Sequence, residues 1–131
     1  MIGSDAYNYI NVLNKAADAC WVRNTVLNNN LANVSTPDFK RSDITFEEYL
    51  KKELSSGINV RMDKAVANVN LDNLKTTTYI DQKELSYRLD GNNVDVDVEE
   101  ANLAQNSIRY YTLLDSMTQE FARIKMVLSR N

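Results

Sequence analysis

Apolar residues return every three or four positions along the first 34 residues. Ala6, Ile10, Leu13, Ala17, Cys20, Asn24, Leu27, Leu31 and Val34 follow one another at spacings of 4, 3, 4, 3, 4, 3, 4 and 3. That is a heptad seam with one polar interruption, Asn24, and it predicts a helix over residues 4–34. Ser4 is placed to cap it, and Asp5 would sit in a first turn that favours negative charge. Pro37 disfavours helical geometry at Thr36, so the helix should end near residues 33–35. The far end of the chain repeats the pattern: Leu103, Ser107, Tyr110, Leu114, Met117, Phe121, Ile124 and Leu128 alternate at 4 and 3. A helix over residues 98–129 follows, with Asp97 and Glu100 as an acidic capping box. At about 1.5 Å per residue the two helices would be roughly 46 and 48 Å long. Matched lengths and matched stripes predict that they pair as an antiparallel coiled coil joined by an insert.

The middle has a different texture. Thr45, Phe46, Glu47 and Glu48 read as a second capping box, opening a short helix to about Ser55. Residues 57–93 are polar and offer few large apolar side chains for a core. Residues 76–80 and 85–89 carry weak strand character from β-branched and aromatic residues. Asp90 and Gly91 mark a turn, and Val94, Val96 and Val98 alternate with Asp95 and Asp97 as an extended entry into the last helix. The fold class is therefore mainly α. Residues 1–36 form the N-terminal helix, 37–93 a partly extended middle region and 94–131 the C-terminal helix of one unit. Trp21, Tyr7 and Tyr9 lie off the first seam, so each long helix has more than one apolar stripe. In so short a chain this favours burial against neighbouring subunits.

Composition removes several functional classes. With no histidine among 131 residues, the commonest general base and zinc ligand are missing, and triad-type nucleophilic catalysis cannot be assembled. A lone cysteine and three glycines exclude an internal disulfide, a Cys/His zinc site and a glycine-rich phosphate loop. The net charge of −3, with no basic run longer than the pairs Lys40-Arg41 and Lys51-Lys52, argues against nucleic acid. No cofactor and no small-molecule substrate are expected. Asp5 falls where the apolar core of a cleaved signal would begin, so none is expected.

Isolated motifs have plain readings. The stretch from Asp90 to Asp97 superficially resembles a calcium loop, but its glycine is second where such a loop needs it sixth, and a turn followed by a helix cap fits better. Glu47 with Glu48, and Glu99 with Glu100, sit in first turns and read as partners of the helix dipole. Cys20, on the seam, reads as a small core residue.

One segment is more specific. Asn28, Asn29, Asn30, Leu31, Ala32, Asn33, Val34, Ser35, Thr36, Pro37, Asp38, Phe39, Lys40 and Arg41 resemble the N-terminal signature of the bacterial flagellar rod and hook family, close to N-N-L-A-N-V-x-T-P-G-Y-K-R. Asp38 stands where that pattern has glycine, and Phe39 where it has tyrosine. The stretch from Asp90 to Glu100, with Leu103, Ala104 and residues 106–110, resembles the proximal rod branch. Together the two regions cover about two thirds of the chain.

The resemblance implies a structural role and no catalysis. Terminal helices would line the channel of a tubular axial structure, along the seam Ile10, Leu13, Ala17, Cys20, Leu27 and Leu31 against Leu103, Tyr110, Leu114, Met117, Phe121, Ile124 and Leu128. The signature residues Asn30, Leu31, Ala32, Asn33, Thr36, Pro37, Phe39 and Lys40 would bridge subunits. Implied partners are further copies, other rod proteins such as FlgC, the adaptor FliE, and the membrane ring and export gate. Implied placement is the basal-body rod in the periplasmic region, reached by type III export. The alternatives are the neighbouring proximal rod protein FlgC, whose last helix begins with a different motif, and a soluble coiled-coil adaptor or chaperone.

Overall fold

The computed structural model describes residues 3–55, 61–81 and 88–129, with side chains from Tyr7 onward. Helix α1 spans Gly3–Ala32 and helix α4 Val96–Leu128. Between them lie strand β1 (Ser42–Thr45), helix α2 (Glu47–Ser55), helix α3 (Met62–Ala67), one 3₁₀ turn (Leu71–Asn73) and strand β2 (Thr77–Ile80). The chain is mainly helical, and its two long helices pack against each other. Asn30 meets Glu99, Cys20 meets Asn106, and Trp21 meets Tyr110, so over this stretch the helices run in opposite directions.

The polar middle has more structure than its composition suggests. β1 pairs antiparallel with β2, Ser42 opposite Ile80 and Thr45 opposite Thr77. Thr45 does not cap α2: its hydroxyl donates to the carbonyl of Thr77, and Phe46 precedes the first helical residue. The expected strand at 85–89 falls mostly outside the described residues, and Arg88 and Leu89 form a bend and turn. The Gly57 boundary also lies outside them. At α4 the cap is Asp95 rather than Asp97, its carboxylate accepting from the backbone N–H groups of Asp97 and Val98. The helix therefore begins two residues earlier than expected, at Val96.

The few apolar side chains of residues 61–81 join those of β1 and α2 in a core against α1. Val12 and Ala19 of α1 are buried together with Ile44, Phe46, Val69 and Leu74, and Ala16, Val26, Leu50, Leu54, Val66 and Leu71 pack around them. Each large aliphatic or aromatic side chain buried here contributes about 1.5–3 kcal/mol before entropy, enough to hold the middle region onto α1. Residues 12, 16, 19, 23 and 26 form a second stripe on α1 at heptad spacing. Arg23 lies within it, bonding Asp43, Glu47 and the carbonyl of Ile44. One face of α1 thus serves α4 and another the middle region.

On α4 the inward row is 99, 103, 106, 110, 113, 117, 120 and 124, all buried or half-buried. It shares Leu103, Tyr110, Met117 and Ile124 with the apolar seam read from the sequence. Leu114, Phe121 and Leu128 are exposed on the single chain, and the residues just before the first two, Leu113 and Glu120, turn inward. Buried Glu99 and Asn106 set this phase, because both have polar partners on the α1 side that an apolar residue could not use.

Candidate functional site

The turn after α1 and the segment before α4 are locked together by side-chain amides. Backbone that leaves a helix loses its regular partners, and short carboxamide side chains replace them. Thr36, Pro37, Asp38 and Phe39 form a turn in which the N–H of Phe39 donates to the carbonyl of Thr36. Pro37 presets the second position, and Asp38 takes a left-handed φ of 58° at the third. That is the position where the signature pattern carries glycine. Asp38 N–H donates to the carbonyl of Asp90 at 2.8 Å, and Asn93 N–H to that of Phe39 at 3.3 Å.

Asn92 is fully buried at the centre of this crossing. Its amide donates to the carbonyls of Asn33, Val34 and Thr36 at 2.9, 3.1 and 2.8 Å, and its oxygen accepts from Val94 N–H at 2.7 Å. Lys40 adds an ammonium contact to the carbonyl of Gly91. Gly91 has φ 76°, and a Cβ there would lie 2.3 Å from Asp38 Oδ1. Gly91→Ala is therefore expected to cost about 1–2 kcal/mol, read as a lower melting midpoint. Asp38→Gly, which relieves the left-handed side chain, is expected to gain about 1 kcal/mol or less by the same measurement.

Behind the turn lies a buried charge cluster. Glu99 is fully buried on the first turn of α4. Arg41 Nε donates to Glu99 Oε1 at 2.6 Å, and Asn30 Nδ2 donates to Glu99 Oε2 at 2.9 Å. Asn30 also holds β1 as a neighbouring strand would: its amide donates to the carbonyl of Ser42, and its oxygen accepts from Ser42 N–H. Arg41 reaches Asp81 at 2.8 Å beyond β2, and Asn93 bridges Arg41 N–H and the Asp81 carbonyl. Burial opposes the Arg41 charge, but the bonds to Glu99 and Asp81 outweigh it and raise its pKa. Four separate segments, the ends of α1 and β2 and the starts of β1 and α4, meet at these few residues.

The signature residues divide in this geometry. Asn30 and Lys40 bond within the clasp through their side chains, and Asn33, Thr36 and Phe39 mainly through backbone carbonyls. Leu31 is half-buried, and Ala32 and Pro37 are exposed. Arg41, Asn92, Asn93 and Glu99 lie inside the two resembling stretches without a side-chain bonding role read for them, and Asp81 was not singled out. The visible signal was the run Gly91-Asn92-Asn93 after a turn, where paired carboxamides suit irregular backbone. Glu99 does lie in the first turn of α4, and its burial against Arg41 and Asn30 adds to that position.

A second ion-pair group sits beside the clasp. Arg23 bonds Asp43 and Glu47, and Arg109 of α4 reaches the same Glu47 at 2.8 Å. The hydrogen bond from Arg23 holds the Glu47 carboxyl below its usual range. Because this pKa is depressed by folding, its stabilisation is fully present above the ordinary carboxylate value and is lost as pH falls through the lowered one. The stability difference between the native chain and Glu47→Gln should accordingly shrink on acidification, a small effect because Glu47 is half exposed. Burial raises the pKa of the Cys20 thiol, which keeps it protonated and unreactive. Among the described residues no group of three His, Cys, Asp or Glu side chains is placed to hold a metal ion. The arrangement joins chain segments, and its charged groups are spent on one another.

No protein-family model matches the chain. Curated relatives match along most of it. The flagellar basal body rod protein FlgB of Bacillus subtilis strain 168 is 32% identical over 117 residues, 89% of this chain and 90% of that protein. The FlgB of Borrelia hermsii is 34% identical over 131 residues, covering 94% and 92%. That of Escherichia coli K12 is 31% identical over 113 residues, covering 81% and 82%.

Proposed function

Because the chain belongs to the FlgB family of flagellar basal body rod proteins, we propose that it is a structural subunit of the proximal rod, with no catalytic role. It self-assembles around the export channel, joins the membrane-ring and export-gate side to the rest of the rod, and transmits torque for motility. Its partners are further copies, FlgC and other rod subunits, the adaptor FliE, and the ring and gate. It reaches the periplasmic rod by type III export without a cleaved signal. Among the described residues no helix is long and apolar enough to cross a membrane.

The observation that carries this reading is the clasp. The two segments that resemble rod proteins, around residues 30–41 and 90–99, bind each other and fix how α1 leaves toward α4. Around that fixed junction, Leu114, Phe121 and Leu128 stand exposed in a row on α4. Rows of that kind are buried when helices pack as an extended antiparallel coiled coil among neighbours. The signature turn, with exposed Pro37 and half-buried Phe39, keeps surface free for a bridge between subunits.

Deletion of the gene should abolish swimming in soft agar, and the native chain supplied in trans should restore it. Undiminished swimming of the deletion strain, or a chain that stays in the cytoplasm of swimming cells, would overturn the reading.

A further inference from the structure

Carboxamide side chains in this protein repeatedly take the place of main chain. Asn30 bonds both the N–H and the C=O of Ser42. Asn8 gathers the carbonyls of Val66, Ala67 and Val69, and Asn92 those of Asn33, Val34 and Thr36. Each pins backbone at the end of a helix, at the outer edge of a strand or in a turn.

One row of carboxamides is matched to main chain at a single point, the bond from Asn106 to the Cys20 carbonyl. Asn102, Gln105 and Asn106 stand with Arg109 at i, i+3, i+4 and i+7 on α4, one helix face. They line a cleft of about 330 Å³ whose other wall includes Arg23 and Glu47. Asn106 is 3% exposed; its Nδ2 donates to the Cys20 carbonyl, and its Oδ1 has no partner among the described residues. A buried acceptor left unpaired is unfavourable, and an incoming donor would relieve it. Asn102 and Gln105 make no side-chain hydrogen bond among the described residues. The cleft's charges are already matched, Arg23 with Asp43 and Glu47, and Arg109 with Glu47. An ion finds no uncompensated partner there. A peptide backbone, with one donor and one acceptor per residue, finds several.

We propose that this cleft receives the outer edge of β2 from a second copy of the chain. β2 is extended, exposed at all four residues and, among the described residues, paired with β1 alone. Its N–H groups donate to Asn106 Oδ1 and the neighbouring amide oxygens, and its carbonyls accept from Asn102 and Gln105. On the other side of Asn106 a smaller hollow is bordered by Trp21 and Tyr111, 66% and 69% exposed, so an arriving chain also covers aromatic surface. The proposal rests on the rod reading, which brings identical copies side by side.

The test has two arms. A photo-crosslinking p-benzoylphenylalanine at Tyr79, in basal bodies from cells complemented with that variant, should yield a covalent dimer of the chain joined to the α4 face of residues 102–109. An adduct to another segment or another protein, or no adduct, overturns the proposal. In sedimentation, the double variant Asn102→Ala, Gln105→Ala should self-associate about tenfold more weakly than the native chain, the loss of one or two net hydrogen bonds. Equal association, or a native chain that stays monomeric throughout, overturns it as well. Failure of the native chain to restore swimming would instead count against the rod reading itself.

Discussion

Replacing Glu99 by alanine should cost the folded chain about 3–5 kcal/mol, the range found when one member of a buried ion pair is removed. The reason is geometric. Arg41 keeps only 14% of its side chain exposed, and Glu99 is its most buried partner. Without the carboxylate, Arg41 is left with Asp81 and Asp43 at the edge of the cluster, and the Asn30 amide loses its buried acceptor. Glu99→Gln should lose less. Its oxygen still accepts from Arg41, but its NH₂ faces the NH₂ of Asn30, two donors with no acceptor between them. Urea unfolding of the purified chain orders these variants: native above Gln above Ala. A loss for Glu99→Ala of under 1 kcal/mol would mean that the cluster is a surface network.

The second large effect separates folding from assembly. Ile10→Asp places a carboxylate at a position only 6% exposed, at a cost of about 3 kcal/mol or more. Phe121 is 53% exposed on the single chain, so Phe121→Asp should change monomer stability by about 0.5 kcal/mol or less. Its expected damage lies elsewhere: a charge on the exposed α4 row would have to be buried between subunits in the rod. Ile10→Asp should therefore lower the melting midpoint and the swimming rate together, and Phe121→Asp the swimming rate alone. Normal swimming by the Phe121 variant would remove the exposed row from the subunit contacts.

The long helices were legible because their heptads run for some thirty residues, and Pro37 marked the end of the first within a turn. β2 was legible from Thr77, Thr78, Tyr79 and Ile80, all good strand formers. Its partner β1 was not. Ser42 and Asp43 are poor strand formers, and the pairing depends on Asn30, which lies twelve residues away on a helix. The second stripe of α1 was hidden by Arg23, which looks like a surface residue until Asp43 and Glu47 arrive from the middle region. The phase of α4 slipped by one residue at alternate positions for a related reason. Hydropathy places Leu114 and Phe121 inward, whereas the buried polar groups Glu99 and Asn106 decide the rotation of the helix. The clasp itself was half visible: its segments were singled out by resemblance, but their mutual bonds run through amides and carbonyls, which carry no periodic signal.

Electron cryomicroscopy of basal bodies isolated from complemented cells tests the central claim most directly. The account predicts density for this chain at the base of the rod, with α1 and α4 paired, the 33–41 turn clasped to residues 90–99, and Leu114, Phe121 and Leu128 covered by neighbouring subunits. Rod density that this chain does not fit, or basal bodies complete without it, would contradict the account.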